Sequence, residues 1–152
     1  MIRYSYEKFY TDIRQIATWV ETWDEVSTPS LQWDPHLIIS IARGGLVPGV
    51  YLSHMLGVRN KPVVWQTRDG KINETINIDS SEILIIDDIN DTGVTFDGVV
   101  DDIMDHNDIK RGKIKTVSLW TRHSSKFKVD FTTNNIDNDE WVVFPWEQTG
   151  NI

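Results

Sequence analysis

The sequence predicts an α/β fold, with a doubly wound, mainly parallel sheet flanked by helices. Runs at residues 37–42, 83–86 and 116–120 have the length and apolar character of strands buried on both faces of a sheet. Segments of helical periodicity separate these runs, and strands that alternate with helices form parallel sheets. The length of 152 residues and the 39% hydrophobic content predict a single domain, residues 1–152.

The predicted elements alternate from the start of the chain. Ser5 is a plausible N-cap for a first helix, which is indicated by apolar residues at helical spacing: Tyr6, Phe9, Ile13, Ile16, Ala17 and Val20. The first strand leads into a helix over about residues 46–56, which Gly57 ends. A strand at residues 62–66 follows, and then a strand and a helix within residues 83–107.

The segment of residues 83–95 carries the most informative pattern. Its buried strand is followed by Asp87 and Asp88, at the end of the strand where open α/β sheets place their ligands. A polar turn comes next, formed by Asp91, Thr92, Gly93, Val94 and Thr95. The turn opens onto a helix N-terminus, whose free N–H groups bind phosphate. A solvated acidic loop is the alternative interpretation, but carboxylates beside a phosphate-binding turn suit a sugar phosphate and Mg²⁺.

This unit resembles the 5-phosphoribosyl-1-pyrophosphate (PRPP) binding motif of the type I phosphoribosyltransferases, in which a strand, two acidic residues and a T-G-x-T turn follow one another. A glycine-rich turn, Arg43, Gly44 and Gly45, extends the likeness. Residues 32–33 and 38–49 are similar to the pyrophosphate-loop region of bacterial xanthine-guanine enzymes. Considered alone, that turn is equally explained by the dihedral angles that glycine permits. The resemblance implies that these three residues bind pyrophosphate.

The resemblance also implies the type I phosphoribosyltransferase fold, with a small C-terminal hood within residues 129–152. Asp87 and Asp88 would engage the ribose hydroxyls, directly or through Mg²⁺. The turn from Asp91 to Thr95 would bind the 5′-phosphate, and Asp91 would act as the general acid or base beside N7 of a purine. Adenine and uracil enzymes generally have alanine at that place, so the aspartate favours a 6-oxopurine.

Base binding is implied for Arg122, Trp141 and Val142. Trp141 would stack on the purine, with a gain of about 1–3 kcal/mol, and the backbone of Val142 would read its edge. Arg122 stands where the family usually has a lysine that donates to O6, and arginine differs in reach and geometry. A second departure is Val143, where some xanthine-guanine enzymes carry an acidic residue.

The flexible catalytic loop holds a further departure from the family. The family usually has Ser-Tyr where this chain has Gln66-Thr67. Arg68 and Lys71 are candidates to neutralise the pyrophosphate in their place.

Composition excludes several other classes of function. The net charge of −8 argues against a nucleic-acid partner. No stretch approaches membrane-spanning length, and residues 1–10 lack a signal-peptide pattern. Because cysteine is absent, disulfides and thiolate chemistry are excluded, and we expect a cytoplasmic protein. The resemblance implies a homodimer or homotetramer.

The function implied by the resemblance is transfer of the phosphoribosyl group from PRPP to N9 of hypoxanthine, guanine or xanthine, with release of pyrophosphate. Two alternatives remain open. One is a non-catalytic regulator of this fold that senses PRPP or nucleotide, and the other is a phosphoribosyltransferase for another base.

Overall fold

The computed structural model of this chain describes residues 1–26, 33–66, 71–72, 78 and 82–147, with the backbone alone described at residues 24–26, 66, 71 and 72. Within these residues the elements are β1 (Ile2–Arg3), α1 (Tyr6–Val26), β2 (Leu37–Ala42), α2 (Leu46–Leu56), β3 (Arg59–Gln66), β4 (Lys71–Ile72), β5 (Ile83–Asn90), α3 (Val94–Asn107), a 3₁₀ turn (Arg111–Lys113), β6 (Ile114–Arg122), β7 (Phe131–Ile136) and β8 (Val142–Val143). None of the helices among these residues combines the length and the apolar character that a membrane crossing requires.

The central sheet has the strand order β4-β3-β2-β5-β6-β7. Its five longer strands run parallel, and the short β4 pairs antiparallel with β3. This arrangement confirms the predicted doubly wound, mainly parallel sheet. Because the carboxyl ends of parallel strands lie at one edge, the loops that follow β2, β5 and β6 meet there.

Helices cover both faces of the sheet. Consecutive strand residues point to opposite faces, so neighbouring residues contact different helices. Ile38 and Leu84 belong to a buried cluster with residues of α1 and α2. Ile39 and Ile85 belong to a second cluster, with residues of α3. Strands buried on both sides need apolar residues at every position, which explains the continuous runs in the sequence.

Local capping signals set the helix bounds as the sequence predicts. The amide of Lys8 donates to the Ser5 hydroxyl at 3.1 Å, so Ser5 is the N-cap of α1. Gly57 ends α2 in the left-handed conformation, with φ of 65°. Both α2 and the end of α3 therefore agree with the predicted bounds.

A small hood is formed by β1 and β8, which pair in parallel with Ile2 opposite Val142. The Tyr4 hydroxyl that follows β1 donates to the buried carboxylate of Asp12 on α1 at 2.6 Å. The Tyr4 ring also packs edge-on against Trp120 and Phe144. The hood, defined here as β1, β8 and residues 137–147, is thereby attached to the body of the protein.

The structure differs from the sequence prediction at several strands. The strand predicted at residues 83–86 continues to Asn90, so Asp87 and Asp88 lie within β5 and not after it. The segment predicted as hood contains β7, which belongs to the central sheet. This strand reads Phe-Thr-Thr-Asn-Asn-Ile and is mostly half-buried, so it lacks the apolar pattern that predicts a strand. The two-residue strands β1, β4 and β8 are too short to show periodicity.

Candidate active site

A cavity of about 720 Å³ opens at the carboxyl edge of the central sheet. Its lining residues come from the ends of β2, β3 and β5, the start of α3 and the end of the hood: Ile41, Ala42, Arg43, Gly44, Trp65, Asp87, Asp88, Thr95, Trp146 and Glu147. The structure thus brings together the predicted carboxylate pair, part of the predicted pyrophosphate turn and the end of the predicted phosphate turn.

Asp87 and Asp88 are held rigidly at the base of this cavity. The amide of Asp88 donates to Asp87 Oδ1 at 2.8 Å, and the amide of Ile89 donates to Asp88 Oδ1 at 2.8 Å. Each Oδ1 atom thus accepts from a backbone amide, and the two side chains also interact with each other. The pair is suited to bind ribose hydroxyls or a cation.

Burial makes ionisation of this pair costly. It is the largest cause that raises the pKa of Asp87 well above its ordinary value, and the charge of Asp88 adds to it. Burial also raises the pKa of Asp88 to about 6, against opposing hydrogen bonds and with a further contribution from the charge of Glu147. Perturbed carboxylates in a cavity are typical of functional sites.

The glycine-rich turn lies directly against the carboxylate pair. A Cβ atom at Gly44 would stand 2.2 Å from Asp88 Oδ2. A Cβ atom at Gly45 would stand 2.7 Å from the carbonyl oxygens of both Ile41 and Ile86. The Ala42–Arg43 peptide bond is cis. Both glycines are needed for these close contacts with protein atoms, although neither has a positive φ.

The turn from Asp91 to Thr95 forms the N-terminus of α3. Gly93 is the N-cap residue with φ of 92°, and no side chain caps the helix. The first amides of a helix have no intrahelical acceptor, so they can bind an anion, although the amide of Val94 already has a long contact with Thr92 Oγ1 at 3.4 Å. The turn is supported from behind, because Lys126 N donates to the Thr92 carbonyl at 3.0 Å and a Cβ atom at Gly93 would stand 2.5 Å from Phe127 N.

Asn90, which was not singled out from the sequence, holds this support in place. Its side chain is 1% exposed. Its amide donates to the Phe127 carbonyl at 2.8 Å, and its Oδ1 accepts from the Ser125 hydroxyl at 2.9 Å. The loop after β6 is thereby fixed beneath the phosphate turn.

A second group of residues lies at the end of β6 and in the hood. Arg122 Nε donates to Asp91 Oδ1 at 2.5 Å. Its two terminal nitrogens donate to the carbonyl oxygens of Asn138 at 2.6 Å and Glu140 at 3.0 Å. Three of the five guanidinium N–H groups thus have acceptors in the described part of the chain, which leaves two without one there.

Trp141 and Val142, adjacent residues of the hood, differ in their exposure to solvent. Trp141 is 65% exposed and Val142 is 3% exposed, so Trp141 is not a core residue. The amides of Ile2 and Tyr4 donate to the carbonyls of Trp141 and Val143. Because peptide groups alternate in direction along a strand, the N–H and C=O of Val142 point away from β1.

Five cavity residues were not predicted as site residues: Ile41, Ala42, Trp65, Trp146 and Glu147. Glu147 adds a third carboxylate near Asp88 and accepts from the Phe144 amide at 3.0 Å. Trp146, which stacks on Phe144 at 5.1 Å, and Trp65 form apolar walls. The sequence of residues 139–147 indicated a part of the site. The approach of Glu147 to the carboxylate pair, however, depends on the folding of the whole chain.

Comparisons with known proteins agree with this geometry. The family described as the phosphoribosyl transferase domain matches residues 6–149. The chain belongs to the phosphoribosyltransferase family. Together with the fold, this membership confirms the resemblance found in the sequence and shows that the protein is an enzyme of this class.

Solved structures of purine phosphoribosyltransferases resemble this one along most of its length. The purine phosphoribosyltransferase from Pyrococcus horikoshii Ot3 is 26% identical, with a TM-score of 0.77 over 99% of this chain and 97% of that one. The Helicobacter pylori xanthine-guanine-hypoxanthine phosphoribosyltransferase is 26% identical, with a TM-score of 0.77 over 96% and 92% of the two chains. The Trypanosoma cruzi hypoxanthine phosphoribosyltransferase in complex with IMP, 22% identical with a TM-score of 0.62 over 84% and 75%, shares the fold.

The carboxylate pair of this phosphoribosyltransferase fits Mg²⁺, which the family generally uses together with PRPP. No group of three or more His, Cys, Asp or Glu residues in the described part of the chain is arranged to hold a metal ion alone. Mg²⁺ is commonly bound by one or two carboxylates together with substrate phosphates, so Asp87 and Asp88 would supply the protein's share. The predicted loop residues Gln32, Thr67 and Arg68 lie outside the described residues, as do the side chains of Gln66 and Lys71.

Proposed function

We propose that this phosphoribosyltransferase transfers the 5-phosphoribosyl group of PRPP to N9 of a 6-oxopurine. Hypoxanthine, guanine and xanthine are the candidate acceptors. The bond from C1′ to the pyrophosphate oxygen breaks, the bond from C1′ to N9 forms, and the purine loses the proton on N7. The observation that carries the proposal is the packing of Gly44 directly against Asp88 in one cavity, because a pyrophosphate site and a ribose site must adjoin in this reaction.

The PRPP side of the site is supported by three elements around the cavity. Arg43, Gly44 and Gly45 would bind the pyrophosphate, with a permanent charge on Arg43 and backbone that approaches closely. Asp87 and Asp88 would orient the ribose through its hydroxyls. The first turn of α3, from Asp91 to Thr95, would bind the 5′-phosphate. Catalysis then depends on the alignment of C1′ and on stabilisation of its developing positive charge.

Among the described residues that line the cavity, three are carboxylates, Asp87, Asp88 and Glu147, and one is an arginine, Arg43. Such an anionic cavity would repel an uncompensated pyrophosphate. Mg²⁺, when bound, supplies the charge that neutralises the pyrophosphate as it leaves. Asp87 and Asp88 would hold it in their ionised forms.

The base side is supported by the hood. Trp141 is exposed enough to stack on a purine, and the peptide groups of Val142, which point away from β1, would read its edge. The two remaining N–H groups of Arg122 would donate to O6. Asp91, which is half-exposed beside Arg122, would accept the N7 proton.

A panel of bases tests the proposal. The protein is mixed with PRPP, Mg²⁺ and hypoxanthine, guanine, xanthine or adenine, and kcat/KM is measured from pyrophosphate release. A 6-amino group would meet the donors of Arg122 and leave a buried polar group unpaired, at about 1–3 kcal/mol. We therefore expect adenine to be disfavoured by about tenfold to a hundredfold, and xanthine to be used less than hypoxanthine because Val143 offers no polar side chain.

Each contrary outcome has a distinct meaning. If adenine is the best substrate, the 6-oxopurine assignment is wrong and phosphoribosyl transfer stands. If PRPP binds but no base of the panel or of a wider set causes pyrophosphate release, the chain is a regulator of this fold and the proposed function is wrong.

A further inference from the structure

Arg122 joins two chain segments on the base side of the site. One is the turn that carries Asp91, and the other is the backbone of Asn138 and Glu140, which leads directly into Trp141. The Arg122 side chain is 10% exposed, whereas that of Asp91 is 51% exposed. A nearly buried cation therefore contacts the predicted proton acceptor and the segment before the predicted stacking residue at the same time.

The other side-chain contacts of residues 138–140 given below are exposed. The Glu140 amide donates to Asn138 Oδ1 at 3.0 Å, and the Asn138 amide group donates to Glu140 Oε2 at 3.1 Å. The N-terminal ammonium of Met1 donates to Glu140 Oε1 at 3.1 Å. Solvent competes for exposed pairs of this kind, so each stabilises little. The bonds from Arg122 are shielded and link the segment to the central sheet.

We propose that Arg122 is a positioning residue that fixes Asp91 and Trp141 relative to each other before the base binds. The inference rests on the proposed function, because it gives those two residues roles toward the same purine. This role differs from donation to O6, because Arg122 acts here through the Asp91 carboxylate and the hood backbone that it holds.

The planar guanidinium explains why arginine suits this role. Its Nε and its two terminal nitrogens point in three fixed directions, and each direction meets one acceptor. A lysine carries all its N–H groups on one nitrogen. It retains the charge but cannot span a carboxylate and two carbonyls that approach the guanidinium from different sides.

The substitution Arg122→Lys tests the proposal, with Arg14→Lys on the exposed face of α1 as the matched control. Misplacement of a catalytic group by about 1 Å costs about 100-fold. We therefore expect Arg122→Lys to lower kcat with hypoxanthine by about 100-fold and to raise the KM for hypoxanthine. The Kd for PRPP measured without a base should remain within about twofold of the unmodified protein, which also shows that the variant is folded.

A double-mutant cycle with Asp91→Asn separates positioning from general destabilisation. In the Asp91→Asn background we expect Arg122→Lys to lower kcat by less than about threefold, because the carboxylate that it positions is absent. The rise in the KM for hypoxanthine should persist, since the link to the hood is still lost. Equal losses of kcat in the two backgrounds would overturn the proposal.

Hydrogen exchange of the Ile2 and Tyr4 amides, which donate to the hood carbonyls of Trp141 and Val143, provides a readout that does not require activity. Arg122→Lys should accelerate this exchange at least tenfold, whereas Arg14→Lys should leave it unchanged. Unchanged exchange in Arg122→Lys would overturn the positioning role. If the unmodified protein turns over no base, the proposed function fails, and the exchange measurement alone decides whether Arg122 holds the hood.

Discussion

The substitution Asp88→Asn should stabilise the ligand-free protein while it impairs the site. Burial raises the pKa of Asp88 from 3.8 to about 6, so the ionised side chain is less stable in the folded protein than in the unfolded chain. Asparagine keeps the size of the side chain and the oxygen that accepts from the Ile89 amide at 2.8 Å. It also removes a negative charge that lies beside Asp87 and Glu147.

The expected gain follows from the rise in pKa. A rise of about 2 corresponds to about 3 kcal/mol at a pH above both values. For a chain of this length, 1 kcal/mol changes Tm by about 2–4 °C. We therefore expect the Tm of Asp88→Asn at pH 7.5 to exceed that of the unmodified protein by about 6–12 °C.

The effect of Asp88 on stability should depend on pH in a defined direction. Because the folded pKa is raised, the folded protein takes up a proton at Asp88 before the unfolded chain does as the pH falls through 6. The free energy of unfolding of the unmodified protein should therefore increase as the pH falls from about 7 to about 4. Asp87, whose pKa is also raised, contributes in the same direction. The advantage of Asp88→Asn should disappear near pH 4.

Thermal unfolding followed by circular dichroism between pH 4 and pH 7.5, without Mg²⁺ or PRPP, measures both quantities. The matched control is Asp101→Asn on the exposed face of α3, which should leave Tm unchanged at each pH. If Asp88→Asn unfolds at or below the Tm of the unmodified protein at pH 7.5, the buried-charge explanation of this pair is wrong.

Two further predictions concern the chemistry and the pyrophosphate turn. Asp91→Ala should lower kcat by about 10²–10⁴-fold with little change in the Kd for PRPP, and a loss of PRPP affinity with kcat intact would show that Asp91 only binds. Gly44→Ala would place a Cβ atom 2.2 Å from an Asp88 carboxylate oxygen, so it should raise the KM for PRPP at least about tenfold. Gly112→Ala, which has no atom within 4 Å of the added Cβ, is its control, and an unchanged KM in Gly44→Ala would contradict the close packing of this turn.

The parts of the site that could be predicted are those encoded by contiguous residues. The carboxylate pair, the turn that begins at Asp91 and the helix after it form one local unit, as do the strand and turn around Arg43. Their order along the chain determines their order in the sheet, because parallel strands with helical crossovers permit few arrangements. The edge where they meet therefore follows from the sequence.

The contacts that could not be predicted depend on residues far apart in the chain. Arg122 and Asp91 are 31 positions apart, and their pairing depends on the distance between β5 and β6 at the edge of the sheet. Glu147 approaches Asp88 only because the hood returns to the cavity. The sequence predicts an arginine near the base, but its partners are defined by the folded backbone.

The hood also determines when during folding the base side can form. Its two strands come from opposite ends of the sequence, and the contact of Met1 with Glu140 spans 139 positions. Closing so long a loop costs more entropy than pairing neighbouring strands, and such non-local contacts form slowly. We expect the PRPP side, whose elements are close in sequence, to assemble first, with the base side completed only when the two ends meet. An unfinished chain emerging from the ribosome would thus carry most of its sugar-phosphate site while still lacking the strand pair that receives the purine.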